Sequence, residues 1–233
     1  MKMTLPYAVA SAVLFAATAH IHAAPYAPNP YPEEPYYTRG PFYISADIGG
    51  VILQDTTAKN AGAKIAFNPG VRGDLTFGYQ IAPPIAVEFE TGSIWNSLST
   101  QNGLYISASG LNVDLFQIPF LANLVFRLPP RNGFSAYIGG GVGGVASQFD
   151  VSNPNDNGGF FNSENHITDT DVTFAYQGKI GLTYSFNPNM EVGVGYKFLG
   201  TLDHTWFKGD PAFFTHTDPI YSHSFLASFT WKF

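Results

Sequence analysis

The sequence predicts an all-β chain, an eight-stranded antiparallel transmembrane β-barrel with short turns at one end and long loops at the other. Three observations predict it: an export segment on a chain without cysteine, a period-two alternation of apolar and polar side chains, and connections that are alternately tight and long. Successive strand residues face opposite sides, so such alternation describes a wall with one apolar and one polar face. In a membrane barrel the apolar face meets lipid and the polar face lines the lumen.

Residues 1–24 read as a signal peptide. Lys2 supplies a minimal charged region, an apolar stretch follows from about Leu5 to Ala19, and Ala17, Ala19, Ala23 and Ala24 offer small residues for cleavage. The apolar run is shorter than the roughly 20 residues of a spanning helix. Residues 25–41 read as a Pro/Tyr-rich periplasmic tether. Pro28, Pro30, Pro32 and Pro35 remove backbone donors and favour an extended chain.

Residues 42–233 read as the barrel. Strands are expected at about Phe42–Leu53, Gly70–Ile81, Ile85–Trp95, Leu111–Leu128, Phe134–Phe149, Val172–Phe186, Met190–Leu202 and Tyr221–Phe233. Each is near or above the roughly 9–11 residues that cross a membrane on a tilt. The second, fourth and sixth strands end in tight turns at Ala82-Pro83-Pro84, Pro129 to Gly133, and Asn187-Pro188-Asn189. Pro and Asn pre-set the dihedrals such turns need. The other connections are long and polar, which places short turns in the periplasm and long loops outside.

The faces follow strand by strand. Val71, Leu75, Phe77 and Tyr79 face lipid in the second strand and Ile85, Val87 and Phe89 in the third; Phe174, Tyr176, Ile180 and Leu182 do so in the sixth. The fourth turns Ile118, Phe120, Leu124 and Phe126 outward, while Asp114 and Leu115 break its phase and suggest a bulge or the point where the strand leaves the membrane. In the last strand Tyr221, Phe225, Ala227, Phe229, Trp231 and Phe233 oppose Ser222, Ser224, Ser228, Thr230 and Lys232. Aromatic residues gather near the expected interfaces, among them Phe42, Trp95, Phe186, Phe198 and Trp206.

The inward positions carry a balanced set of charges. Asp47, Asp74, Glu88, Glu90 and Glu191 are set against Arg72, Arg127, Lys179, Lys197 and Lys232. An unpaired buried charge is strongly unfavourable, so these ten are expected to form a salt-bridge network filling a narrow polar lumen. Conduction would need a continuous water column, for which eight strands leave little room. The glycine run Gly139-Gly140-Gly141 with Gly143 and Gly144 lacks the Lys-Ser/Thr of a phosphate loop and reads as barrel geometry.

Composition removes several function classes. The absence of cysteine excludes disulfides, thiolate metal sites and a cysteine nucleophile. Charged residues make up 12% of the chain and the net charge is −6, against the clustered Lys and Arg that nucleic acid requires. A mean hydropathy near zero suits a barrel whose two faces average out. His204 and His216 fall in the last long loop with Asp203, Asp210 and Asp218; His166 falls in the third, an acidic loop with Asp150, Asp156, Glu164, Asp169 and Asp171. No spacing such as His-Glu-x-x-His supports a metal or catalytic site there, and none is expected. His223 and Ser224 are adjacent on a strand and face opposite sides.

Together these features resemble the OmpA/OmpX-type family of small outer-membrane β-barrels from Phe42 to Phe233. The resemblance is carried by Gln117-Ile118-Pro119-Phe120-Leu121-Ala122-Asn123-Leu124 with Arg127 and Tyr137 to Gly143, by Gly193-Val194-Gly195-Tyr196, and by the terminal Phe229, Trp231 and Phe233. It implies residence in the cell outer membrane, with those last aromatics as a signal to the barrel-assembly machinery. Fold does not fix activity. The expected role is structural or interactive at the cell surface, not enzymatic, with the lumen closed by paired charges and without cofactor. A small diffusion pore and a lipid-modifying enzyme are the alternatives. Expected partners are outer-membrane lipids and lipopolysaccharide, and an extracellular ligand at the loops; a monomer is expected.

Overall fold

The computed structural model describes residues 41–58, 63–97, 112–152, 167–206 and 215–233, so the expected signal peptide and tether lie outside the described residues. Eight strands close into one barrel: β1 (Phe42–Leu53), β4 (Gly70–Ala82), β5 (Ile85–Ser97), β6 (Asn112–Arg127), β7 (Phe134–Ser152), β8 (Ile167–Ser185), β9 (Met190–Thr201) and β12 (Tyr221–Lys232). Every neighbouring pair is antiparallel, and β1 completes the ring by pairing with both β4 and β12. A second sheet, in the order β10-β11-β2-β3, joins β2 (Thr56–Ala58) and β3 (Ala63–Ile65) to β10 (His204–Trp206) and β11 (Thr215–Thr217).

The tight turns owe their form to their residues. Asn132 and Gly133 both have positive φ, 53° and 82°, between Arg131 and Phe134, which exchange backbone hydrogen bonds of 2.7 and 3.0 Å. Asn-Gly suits this two-residue reversal because both central positions are left-handed. At the next turn the side-chain oxygen of Asn187 accepts the N–H groups of Asn189 and Met190 at 2.9 and 2.8 Å. Pro83 and Pro84 close the β4–β5 turn through a cis peptide, beside a register shift at Gln80/Ala82.

The outer wall is apolar. Ile48, Leu75, Leu124, Val172, Leu182 and Phe225 are more than half exposed, the inverse of a water-soluble core. Rings cluster at the short-turn end, where Phe42 lies 4.9 Å from Tyr79 and 6.3 Å from Phe233 between ring centres. Toward the long-loop end Phe198 packs on Tyr221 and His223 at 6.0 and 5.4 Å. Trp206 belongs to β10 in the second sheet.

Three expectations are corrected. Asp114 and Leu115 sit in an unbroken β6–β7 register, with no bulge: Leu115 is an inward, buried residue and Asp114 lies on the outward phase near the strand's outer end. Asp150 belongs to β7 and Asp169 and Asp171 to β8, because the β7–β8 pairing continues as far as Val151↔Ile167; Asp169 and Asp171 fall on the inward phase, and Asp171 is buried. The lumen is not polar throughout. Toward the long-loop end it holds an apolar cluster that includes Val51, Leu53, Ile94, Leu115, Phe149 and Leu199 from the wall, with Phe67 and Ile220 from the connections. A charge buried at that end would need a partner, so apolar side chains fill the space.

Below it, glycines admit large rings. A Cβ at Gly181 would lie 2.6 Å from the ring of Tyr137, and one at Gly195 would lie 2.5 Å from its hydroxyl. Tyr137 also lies 5.6 Å from the guanidinium of Arg127, so it has little freedom to retreat. Gly181→Val is therefore expected to cost about 1–3 kcal/mol by overpacking. A urea midpoint in detergent micelles equal to wild type would contradict this.

Candidate functional site: the lumen charge network

The structure brings all ten inward charges into one connected network. From the short-turn end, Lys232 contacts Glu191, whose Oε2 lies 3.6 Å from Arg127 Nη1, a charge contact too long for a hydrogen bond. Arg127 Nη2 reaches Glu88 at 3.3 Å; Lys179 bridges Glu88 and Glu90, the latter at 3.3 Å. Glu90 then meets Arg72 at 3.1 Å and Lys197 at 3.0 Å, and Lys197 meets Asp47 and Asp74 at 2.8 Å each. Arg72 closes the path on Asp74 at 2.8 Å. These contacts join strands that are not neighbours in the wall, so the network spans the lumen from side to side.

Neutral groups fill the remaining valences. Arg72 donates to the side-chain oxygen of Gln177 at 2.9 Å; the amide of Gln177 donates to Glu90 at 3.1 Å and to Asn123 at 3.2 Å. The hydroxyl of Tyr43 donates to Glu88 at 2.5 Å, and its ring lies 4.6 Å from the guanidinium carbon of Arg127, opposite Tyr137. Tyr43 and Tyr137 were missing from the sequence-derived network, although each lies in phase with inward neighbours: Tyr43 with Ser45 and Asp47, Tyr137 with Gly139 and Gly141. Between Ser45, Thr76, Thr183 and Thr230 and the charged Asp47, Glu88, Arg127 and Lys179 lies a partly open cleft of about 20 Å³, room for roughly one water molecule.

The histidines divide. His223 faces outward near the long-loop end, its ring nitrogens 2.7 Å from the Tyr196 hydroxyl and the Gln54 side chain. His216 lies on β11 opposite Thr205, and His166 lies outside the described residues. His204 is buried between β8 and β9. Its Nε2 is 3.0 Å from the Thr201 hydroxyl and its Nδ1 is 3.3 Å from Asp171 Oδ2. Hydroxyl, imidazole and carboxylate thus stand in the order of a nucleophile relay. All three side chains are buried, and the Thr201 oxygen also accepts the Ile220 N–H at 3.1 Å, so the group takes part in the packing at the rim. Phe229 and Trp231 project outward from β12, and Phe233 follows it with its N–H donating to the Phe42 carbonyl at 3.0 Å.

Comparison with known proteins agrees with this architecture. A Rickettsia conorii (strain ATCC VR-613 / Malish 7) protein described as a candidate adhesin is 22% identical over 166 residues, covering 67% of this chain and 67% of its own. The crystal structure of Neisserial surface protein A superimposes with a TM-score of 0.52 at 14% identity, covering 83% of this chain and 98% of that one. The outer membrane protein OprG from Pseudomonas aeruginosa gives 0.54 at 16% identity, covering 84% and 97%. At such identities the structural likeness speaks for the fold. Residues 9–233 match the outer membrane protein beta-barrel domain, and the chain belongs to that family, with the outer membrane as its place.

Proposed function

We propose that this protein is a closed barrel with a structural or interactive role at the cell surface, carried out by its extracellular side and not by transport through the lumen. The observation that carries the reading is the double closure of the interior: a continuous ionic network across the periplasmic half, and above it an apolar cluster into which Phe67 and Ile220 descend. A diffusion path would have to separate ion pairs that are almost wholly buried. The likeness to a candidate adhesin supports a surface-interaction role. The role is non-catalytic, since the Thr201–His204–Asp171 relay is buried at every member. On this reading lipids and lipopolysaccharide surround the wall, the barrel-assembly machinery recognises Phe229, Trp231 and Phe233, and an extracellular ligand is met by a monomer.

The test is single-channel recording of the refolded barrel in a planar bilayer, with boiled protein as control. Silence from protein whose gel migration shifts on boiling is the expected result. Steady, reproducible openings would overturn the closed reading and make the ten charges selectivity elements.

A further inference from the structure

Parts of the first and fourth extracellular connections are bound into a cap. β11 meets β2 at Thr217 and Ala58; the Asp218 N–H donates to the Thr57 carbonyl at 3.1 Å and the Thr56 hydroxyl to the Asp218 carbonyl at 3.0 Å. The cap is fastened to the barrel rim around His204, whose ring is 0% exposed. Through Asp171 and Thr201 that ring ties β10 to β8 and β9. Asp171 also accepts the Thr205 N–H at 3.1 Å, and Thr201 accepts the N–H of Ile220, which leads into β12.

We propose that His204 is an acid-released latch: neutral, it holds the cap on the rim, and its protonation lets the cap lift and uncovers the apolar upper lumen. The contacts fit one neutral tautomer. With its proton on Nδ1 the ring turns that proton toward Asp171 Oδ2 at 3.3 Å, a charge contact and not a hydrogen bond, and Nε2 accepts the Thr201 hydroxyl. A second proton, on Nε2, displaces that hydroxyl hydrogen, for which the Ile220 carbonyl lies at a long 3.4 Å. The charged groups that act on the ring are Asp171 of β8 and Asp203 just before β10; the described polar groups facing it from β9 and the approach to β12 are the neutral Thr201 and Ile220.

The balance goes against the charged ring. Burial pushes its pKa below the ordinary histidine value, and the opposing pull of Asp171, then Asp203, does not restore it. The open cap therefore binds the proton more readily than the closed one. Closure is fully stable above about pH 6.5, the free value, and loses stability as pH falls below it.

Amide hydrogen exchange of Thr205, Asp218 and Ile220 in micelles, corrected for intrinsic rates between pH 8 and 5, tests this. Wild-type protection is expected to fall by up to about tenfold per pH unit below about 6.5, the slope of one proton, while barrel amides such as Gly195 stay protected. His204→Gln, neutral throughout, should show no slope at whatever level of protection it has. A variant with His166, His216 and His223 all changed to Gln should keep the wild-type slope, and it decides the matter if His204→Gln leaves the cap open even at pH 8. Flat wild-type protection, a slope surviving in His204→Gln, or a slope lost from the triple variant would overturn the latch.

Discussion

Glu90→Ala is expected to lower the unfolding free energy of the barrel by about 3–5 kcal/mol, the usual cost of removing one member of a buried ionic group. Glu90 is fully buried and holds three cations, Arg72, Lys179 and Lys197, from three different strands, besides Gln177 and Asn123. Without it those cations share Asp47, Asp74 and Glu88 only, and a buried positive charge is left without compensation. Adding Lys179→Met restores the balance of signs, so the double variant should recover part of the loss. The two single variants and the double form a cycle whose coupling term isolates the pair. Unfolding in urea at fixed micelle concentration gives all three values. A loss below about 1 kcal/mol would be that of a solvent-screened pair, and it would mean a lumen filled with water, contrary to the closed reading.

Removing Phe233 is expected to separate stability from assembly. Its ring lies tilted 5.7 Å from Trp231 and stacks 6.3 Å from Phe42 but is 45% exposed on the lipid side, so its loss from the folded barrel should cost only about 0.5–1.5 kcal/mol. If the terminal aromatics are a recognition signal, deletion should leave most of the protein outside the outer membrane in cells, although the same variant refolds in micelles. Fractionation of cells beside a refolding assay makes the comparison. Normal insertion in cells would remove Phe233 from the signal. A failure to refold in micelles equal to the failure in cells would assign the defect to stability instead.

The wall was legible because a period of two is a local property. Val192, Val194 and Glu191 declare their faces within a few residues, and the inward charges follow from the same count. Their partners were not legible, since Lys197 meets Asp47, Asp74 and Glu90 only after the ring has closed. The cap was hidden for a related reason. Thr215–Thr217 is too short to show a pattern and becomes a strand only by pairing with segments distant in sequence. Leu115 misled in another way: an apolar residue on an inward phase looks like a break in alternation until the second, apolar level of the lumen explains it. His204 and Asp171 stood in different loops of the sequence, with no spacing to connect them, and only the β8–β10 contact unites them.

The seam of the barrel bears on its passage to the membrane. β1 pairs with β12 from Tyr43↔Lys232 to Leu53↔Ser222, so the first strand finds one of its two neighbours only at the far end of the chain. Until then it carries an open hydrogen-bonding edge and an apolar outer face, the combination that invites pairing with other chains. Closure at such sequence separation is also intrinsically slow. The interval before the ring shuts is therefore the stage at which the chain is most vulnerable to pairing with its own kind.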